Sequence, residues 1–219
     1  FGANSRDTDL GGIKYGGRLD LYPLGFFKPG NDLTSTDLER EEKLKFVLGF
    51  AGSQNIGASN AVGEGHGNYI LYDVNGENNY PNYTQIYADI LLKYQGFSLL
   101  AEYVNASASN INETYIDANA TQILAPTQIS DFLTLGNSFN VQVGYVTLSG
   151  FSFDTRYENG TQEFIKNASS VLQSANATTF GLSKYFVGNS LKVQSSYSNY
   201  NPKIGTNINQ IDLLFQITF

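Results

Sequence analysis

The chain has 219 residues, of which 41% are hydrophobic, and a formal net charge of −7. The acidic balance argues against a general nucleic-acid binder, and the absence of cysteine excludes disulfides and thiolate metal sites. No run of about 18 apolar residues is present, so a transmembrane helix is excluded. The sequence begins at Phe1 and lacks methionine, so we expect that it is not a complete translation product: either a signal peptide and more were removed, or the sequence is a fragment.

Alternating apolar and polar residues recur along the chain, and this pattern places one row of side chains on each face of a β-strand. A strand that crosses a membrane needs only about 9–11 residues of this kind, which hydropathy averages hide. Nine segments carry the pattern and are predicted strands: 14–22, 43–52, 83–94, 97–103, 139–145, 151–157, 178–186, 191–200 and 211–219.

The connections between the predicted strands alternate in length. Short turns are predicted at Gln95-Gly96, Thr147-Leu148-Ser149 and Gly188-Asn189, and long polar loops near 54–82, 106–136 and 158–177. Long loops on one side of a sheet and short turns on the other are typical of outer-membrane barrels. In a soluble domain, loops of that length would count against the strand assignment.

The segment from Gly25 to Glu42 is an exception on the side of the short turns. Thr36-Asp37-Leu38-Glu39 resembles a capping box that would open one or two helical turns. We interpret the segment as an ordered turn element, and a plain acidic loop is the alternative.

The strand register can be tested within the sequence. A two-residue turn at Gln95-Gly96 pairs Tyr94 with Phe97 and Asp89 with Glu102. A turn at Gly188-Asn189 likewise pairs Phe180 with Tyr197 and Leu182 with Ser195. A slip of one residue would invert every face, so this agreement favours the assignment.

The apolar rows are predicted to face lipid, because aromatic residues bound them as in the girdles of membrane barrels. These aromatic residues are Tyr15, Tyr94, Phe97, Tyr157, Phe186, Tyr197 and Phe219. Lys184 lies on the apolar face near a turn, where a long side chain can reach the membrane interface. The opposite face is more polar than the core of a sandwich tolerates, although a soluble all-β domain remains the alternative.

The polar face is predicted to line a water-filled lumen, with seven cationic and five acidic side chains that give it a net charge of +2. A basic lining favours anions, so the hypothesis is a weakly anion-preferring or mixed-charge pore; a wall of paired, solvated charges is the alternative. Like charges at Asp89 and Glu102 require a nearby cation, such as Lys93 or Arg18, or a shared proton. The predicted pore-lining residues are Lys14, Arg18, Asp20, Lys43, Lys45, Asp89, Lys93, Glu102, Asp154, Arg156, Lys192 and Asp212.

Several stretches resemble the phosphate-selective porin O and P family of Gram-negative outer membranes. They are "YADILLKYQGFSLLAEYV" (Tyr87–Val104), "GLSKYFVGNSLKVQSSYS" (Gly181–Ser198) and "DLLFQITF" (Asp212–Phe219). "GGRLDLYPLG" (Gly16–Gly25) and "EEKLKFVLGFA" (Glu41–Ala51) are similar to the middle of that family, in the same order.

The resemblance implies an all-β, transmembrane antiparallel β-barrel of about 16 strands, of which residues 1–219 would form the C-terminal part as a single domain. It further implies passive transport of small hydrophilic solutes or anions, an outer-membrane location in lipid and possible assembly as a homotrimer. The family's anion specificity rests on arginine and lysine ladders, whereas this chain contains four arginines.

No catalytic site or cofactor is predicted. His66 is the single histidine and is expected in a loop, since one histidine without cysteine builds neither a catalytic triad nor a common zinc site. The main alternative function is a barrel that binds a partner through acidic extracellular loops while its lumen is plugged. An outer-membrane enzyme and a surface adhesin are further alternatives.

Overall fold

The computed structural model describes residues 12–65 and 67–218, which form one antiparallel sheet of nine strands in sequence order. Two predictions, the loop position of His66 and the aromatic end of the last strand at Phe219, lie outside the described residues. The strands are β1 (Lys14–Leu21), β2 (Lys45–Asn55), β3 (Asn82–Tyr94), β4 (Phe97–Ser109), β5 (Gly136–Val146), β6 (Phe151–Gln162), β7 (Ala175–Val187), β8 (Leu191–Pro202) and β9 (Ile208–Ile217).

The nine predicted strands are confirmed, and several extend farther toward the long loops than the sequence pattern indicated. β4, for example, continues to Ser109, six residues beyond the predicted end at Tyr103. The apolar alternation stops earlier because the outward-facing positions there are Asn105 and Ser107, yet the backbone pairing with β3 continues. Ladder hydrogen bonds do not depend on the side chain, so polarity alone predicted these ends too early.

The hairpin between β3 and β4 has the predicted two-residue turn. Tyr94 pairs with Phe97 and Asp89 with Glu102, as the sequence predicted. Gln95 and Gly96 both have positive φ angles, 47° and 93°. This is the backbone of a type I′ turn, which matches the twist of the flanking strands.

The turn between β7 and β8 differs from the prediction at its tip. The pairs Phe180 with Tyr197 and Leu182 with Ser195 are confirmed. Beyond Tyr185 the register shifts, and Val187 pairs with Leu191. The turn therefore has three residues, 188–190, because a β-bulge inserts one extra residue in β7. The turn between β5 and β6 spans 147–150, one residue more than predicted.

The three long loops pack together over one end of the sheet. The buried core of this loop cluster, formed by residues 56–81, 110–135 and 163–174, includes Leu71, Ile129 and Leu133. It rests on Tyr83 and Ala106, which lie on the polar face of β3 and β4. A 3₁₀-helix at Pro126–Asp131 is part of this cluster. The loops therefore cover the polar side of the sheet, not the apolar side.

The connection from β1 to β2, residues 22–44, packs against the opposite end of the same face, and we name it the turn-side cap. The helix predicted at Thr36–Glu39 is absent from these residues, and a short 3₁₀-helix lies instead at Asn31–Leu33. The predicted capping box does not form, because the Glu39 backbone N–H donates to the Asn31 side-chain oxygen, and the Asp37 carboxylate accepts a hydrogen bond from the Gly96 backbone N–H at 2.7 Å. The interpretation as an ordered turn element is confirmed.

Candidate pore wall

The register places the predicted pore-lining residues on one face. Side chains of residues paired across an antiparallel ladder lie on the same face of the sheet. Followed from strand to strand, the pairs place Arg18 on β1, Lys192 on β8 and Asp212 on β9 on one face. Lys43 is the exception, because β2 begins at Lys45. That this face is in contact with water in a pore stays a prediction.

The sequence analysis missed Glu158. It was placed at the start of a long loop, but β6 continues to Gln162 and Glu158 pairs with Asn140 on the polar face. The sequence did contain a pattern that could have placed Glu158 on the strand, because Asp154, Arg156 and Glu158 are charged at every second position. The correct assignment required the pairing partner on β5.

A row of carboxylates crosses the middle of the polar face. The register aligns six positions on neighbouring strands: Asp20, Gly49, Asp89, Glu102, Asn140 and Glu158. Four of these six residues are acidic, and we name them the central row. Asp89 and Glu102 are like charges paired directly on neighbouring strands and repel one another, so nearby groups must compensate the row.

Arg18 compensates one end of the central row. Its guanidinium donates two hydrogen bonds to Asp89, at 2.7 and 2.9 Å, and lies 2.7 Å from an Asp20 carboxylate oxygen. The contact crosses β2 at Gly49, where a Cβ would lie 2.6 Å from Asp89 Oδ2. A side chain at position 49 would therefore block the bidentate pair. The sequence analysis named Arg18 and Lys93 as cations that could compensate the Asp89–Glu102 pair. Arg18 does so by pairing with Asp89, whereas the Lys93 ammonium group bonds to backbone carbonyls of residues 34 and 36.

Neutral groups and one ion pair support the remaining carboxylates. Glu102 accepts a hydrogen bond from the Asn140 side-chain amide at 2.7 Å. Arg156 lies 3.1 Å from the Glu158 carboxylate. These contacts lie within the sheet, so the middle of the polar face is a network of partly exposed polar side chains.

The charge balance of this face differs from the predicted +2. Among the described strand residues, inclusion of Glu158 and removal of Lys43 leave six cationic and six acidic side chains. Lys93 lies on the polar face but is fully buried beneath the turn-side cap. The exposed part of the wall therefore carries no excess of positive charge.

The opposite face is apolar and exposed. Phe97 is 55% exposed, Phe153 57%, Phe180 57% and Leu213 63%. Both buried hydrophobic clusters rest on positions of the polar face, Tyr83 and Ala106 in one and Val47 and Leu91 in the other. A soluble protein would bury its large apolar face and expose the polar one. The arrangement is the inverse of a soluble sandwich.

Aromatic side chains form two rows on the apolar face. Near the short turns, Tyr94, Phe97, Tyr145 and Phe153 align across β3 to β6. The Phe97 and Tyr145 ring centroids are 4.6 Å apart. Toward the long loops, Phe50, Tyr103 and Phe139 align across β2 to β5. Two such rows that bound aliphatic residues are typical of a strand region that spans a bilayer.

Lys184 lies where the sequence predicted it could reach the membrane interface. Its ammonium group is 4.3 Å from the centroid of the Phe151 ring and donates a hydrogen bond to the Ser149 carbonyl in the adjacent turn. A cation on an apolar face is tolerated in such a position.

Other chemistry is not apparent in the described residues. They contain no helix with the length and hydropathy needed to cross a bilayer. Within ranges 12–65 and 67–218, no group of three or more His, Cys, Asp or Glu side chains could hold a metal ion.

The fold and the inverted distribution of polarity define the class, a porin-like β-barrel wall. Among solved structures, the crystal structure of OccAB2 from Acinetobacter baumannii is similar, with a TM-score of 0.50 and 13% sequence identity. The similarity covers 94% of this chain and 48% of OccAB2, so the chain spans about half the length of that protein. No family model matches the chain, and no curated protein matches its sequence.

This comparison confirms the all-β, barrel-porin fold and does not support the finer resemblance to the phosphate-selective porin O and P family. At 13% sequence identity, the similarity to OccAB2 shows the fold alone. A porin-like barrel is therefore supported, and membership of that particular family is not. Strand and turn patterns are shared by many barrels, because lipid and water impose them on every membrane-spanning strand.

Proposed function

We propose that this chain forms part of the wall of a water-filled outer-membrane pore through which small hydrophilic solutes diffuse passively. The observation that carries the proposal is the sheet with an exposed apolar face and a polar face that both connecting regions cover. Lipid is the partner of the apolar face. The similarity to OccAB2, an outer-membrane channel, supports the same conclusion.

The balance of charge favours a mixed-charge pore over an anion-selective one. Basic rings attract anions and acidic rings attract cations, whereas on this wall cationic and acidic side chains lie next to one another, as on β1 and β6. Asp20 follows Arg18 on β1, and Asp154, Arg156 and Glu158 follow one another on β6. The proposal is therefore a pore with little overall preference for either ion.

Reconstitution tests the proposed function. We expect stepwise conductance increases when the purified protein is added to planar bilayers, and heat-modifiable migration on gels, since a barrel that contains this wall resists unfolding by detergent until it is heated. A protein that migrates as a folded barrel but produces no conductance steps would contradict the pore. That result would favour the alternative, a barrel that binds a partner, for which the packed loop cluster provides a surface.

Arg18→Ala tests the central row. The substitution removes the cation that pairs with Asp89 and Asp20, so we expect the reversal potential in a salt gradient to shift toward cations. The permeability ratio should change by about twofold, a few tenths of a kcal/mol for a charge screened by water and salt.

Lys184→Ala is the matched control for Arg18→Ala, because it removes one positive charge from the opposite face. Its reversal potential should equal that of the wild type. A shift toward anions in Arg18→Ala, or equal shifts in both variants, would contradict the placement of the central row in the pore.

A further inference from the structure

The turn-side cap, residues 22–44, extends over the polar face of several strands. Phe27 packs against Val47 and Leu91 on β2 and β3. Farther along, the Gln142 side-chain amide lies 3.4 Å from Ser35 Oγ, and the Thr36 and Tyr185 hydroxyls are 3.2 Å apart. The cap thus contacts strands from β2 to β7, a wide span for a single connection.

The cap also reaches inward from the turns. Gln142 lies four residues before the end of β5 at Val146. At about 3.3 Å per residue, the contact is about 13 Å along the strand. Ordinary short turns of a barrel stay at the membrane boundary. This connection instead occupies space directly above the pore wall.

Lys93 fastens the cap to the wall. Its fully buried ammonium group donates hydrogen bonds to the backbone carbonyls of Asn31, Thr34 and Thr36, the latter two at 2.7 and 2.9 Å. These three bonds use all three N–H donors of the lysine. A buried ammonium group without such partners would be strongly unfavourable. The cap oxygens therefore form a cage that the Lys93 side chain fills.

Buried acidic residues hold the cage in shape. The Asp37 carboxylate accepts hydrogen bonds from the Asn31 side-chain amide at 2.8 Å and from the Gly96 backbone N–H at 2.7 Å. The Glu41 carboxylate accepts from the same Asn31 amide at 2.8 Å and from the Lys28 backbone N–H at 2.7 Å. Asp37 and Glu41 are both nearly inaccessible to solvent. Three of these bonds join residues of the cap to one another and the one from Gly96 joins the cap to the β3–β4 turn, so the cap is an ordered element attached to the sheet.

We infer that the turn-side cap is a constriction of the pore, and that Lys93 is the positioning residue that holds it over the polar face. The inference rests on the proposed pore function and adds the element that limits the size of the solutes. Removal of the ammonium group leaves three buried carbonyls without their donor. The cap then detaches from the wall and the passage widens.

Lys93→Met tests the inference, because methionine is an unbranched apolar side chain without the ammonium group. The single-channel conductance should rise at least about twofold, since conductance follows the open cross-section of the pore. Sugars too large for the wild-type pore should then cause swelling of liposomes that contain the variant. Lys184→Met is the matched control at the same end of the sheet on the opposite face, and its conductance should equal that of the wild type.

A second variant covers the case in which Lys93→Met does not fold. Residues 26–41 are replaced by a short Gly-Ser linker between β1 and β2, and folding is checked by heat-modifiable migration. This variant should also conduct more than the wild type. Equal, non-zero conductance in the wild type and in a folded variant would overturn the constriction but leave the pore intact. Absence of conductance in every folded variant would overturn the pore itself.

Discussion

Val141→Lys is expected to lower the free energy of unfolding by about 2–4 kcal/mol. Val141 lies on the apolar face of β5, 36% exposed, between the two aromatic rows. Val141 lies two residues from Phe139 and four from Tyr145 on the same strand, so a lysine there would place its ammonium group among lipid chains between the two rows, where the charge is poorly solvated. Urea unfolding of the protein in lipid vesicles, followed by tyrosine fluorescence or circular dichroism, measures the change.

Asn140→Lys is the matched control for Val141→Lys. The two positions are neighbours on β5, but Asn140 lies on the polar face, where its amide donates to Glu102 at 2.7 Å. A lysine at this position gains the Glu102 and Glu158 carboxylates as partners and should change the stability by less than about 1 kcal/mol. Equal losses in both variants would mean that the two faces do not differ in environment, and the membrane-spanning orientation would be wrong.

Tyr83→Ala is expected to open the loop cluster. Tyr83 is 2% exposed, packs in the hydrophobic core of the loops, and donates a hydrogen bond to the Thr134 carbonyl at 2.9 Å. Truncation of a large buried aromatic side chain costs about 3–5 kcal/mol. Local opening should accelerate amide hydrogen exchange in the loops by roughly 100-fold or more. Mass spectrometry of the exchanged loop peptides measures this effect.

Tyr83→Phe separates packing from hydrogen bonding at this position. It keeps the ring and removes the hydroxyl that reaches Thr134, so exchange should increase only by the equivalent of about 1 kcal/mol. Peptides from the centres of β7 and β8, which lie outside the cluster, should exchange at the wild-type rate in both variants. Equal exchange of the loop peptides in wild type and Tyr83→Ala would show that the loops do not depend on this core.

The alternating pattern was sufficient to find the nine strands and to separate a polar face from an apolar one. Side chains alternate with a period of two, and a membrane imposes opposite polarity on the two sides of a barrel wall. The register of the β3–β4 hairpin followed from the two-residue turn at Gln95-Gly96, and the pattern supported it because a slip of one residue would invert every face.

Contacts between segments that are distant in the sequence were decided by the tertiary structure alone. The sequence could not show that Arg18 reaches Asp89 across Gly49, because that contact depends on the pairing of three strands. It also could not show that Lys93 is buried by residues 22–44, which removes a cation from the exposed wall. A strand pattern assigns a side chain to a face, but what then covers that face depends on how the connections fold back. That is a matter of tertiary packing, and it decides which charges of this protein are exposed on its polar wall.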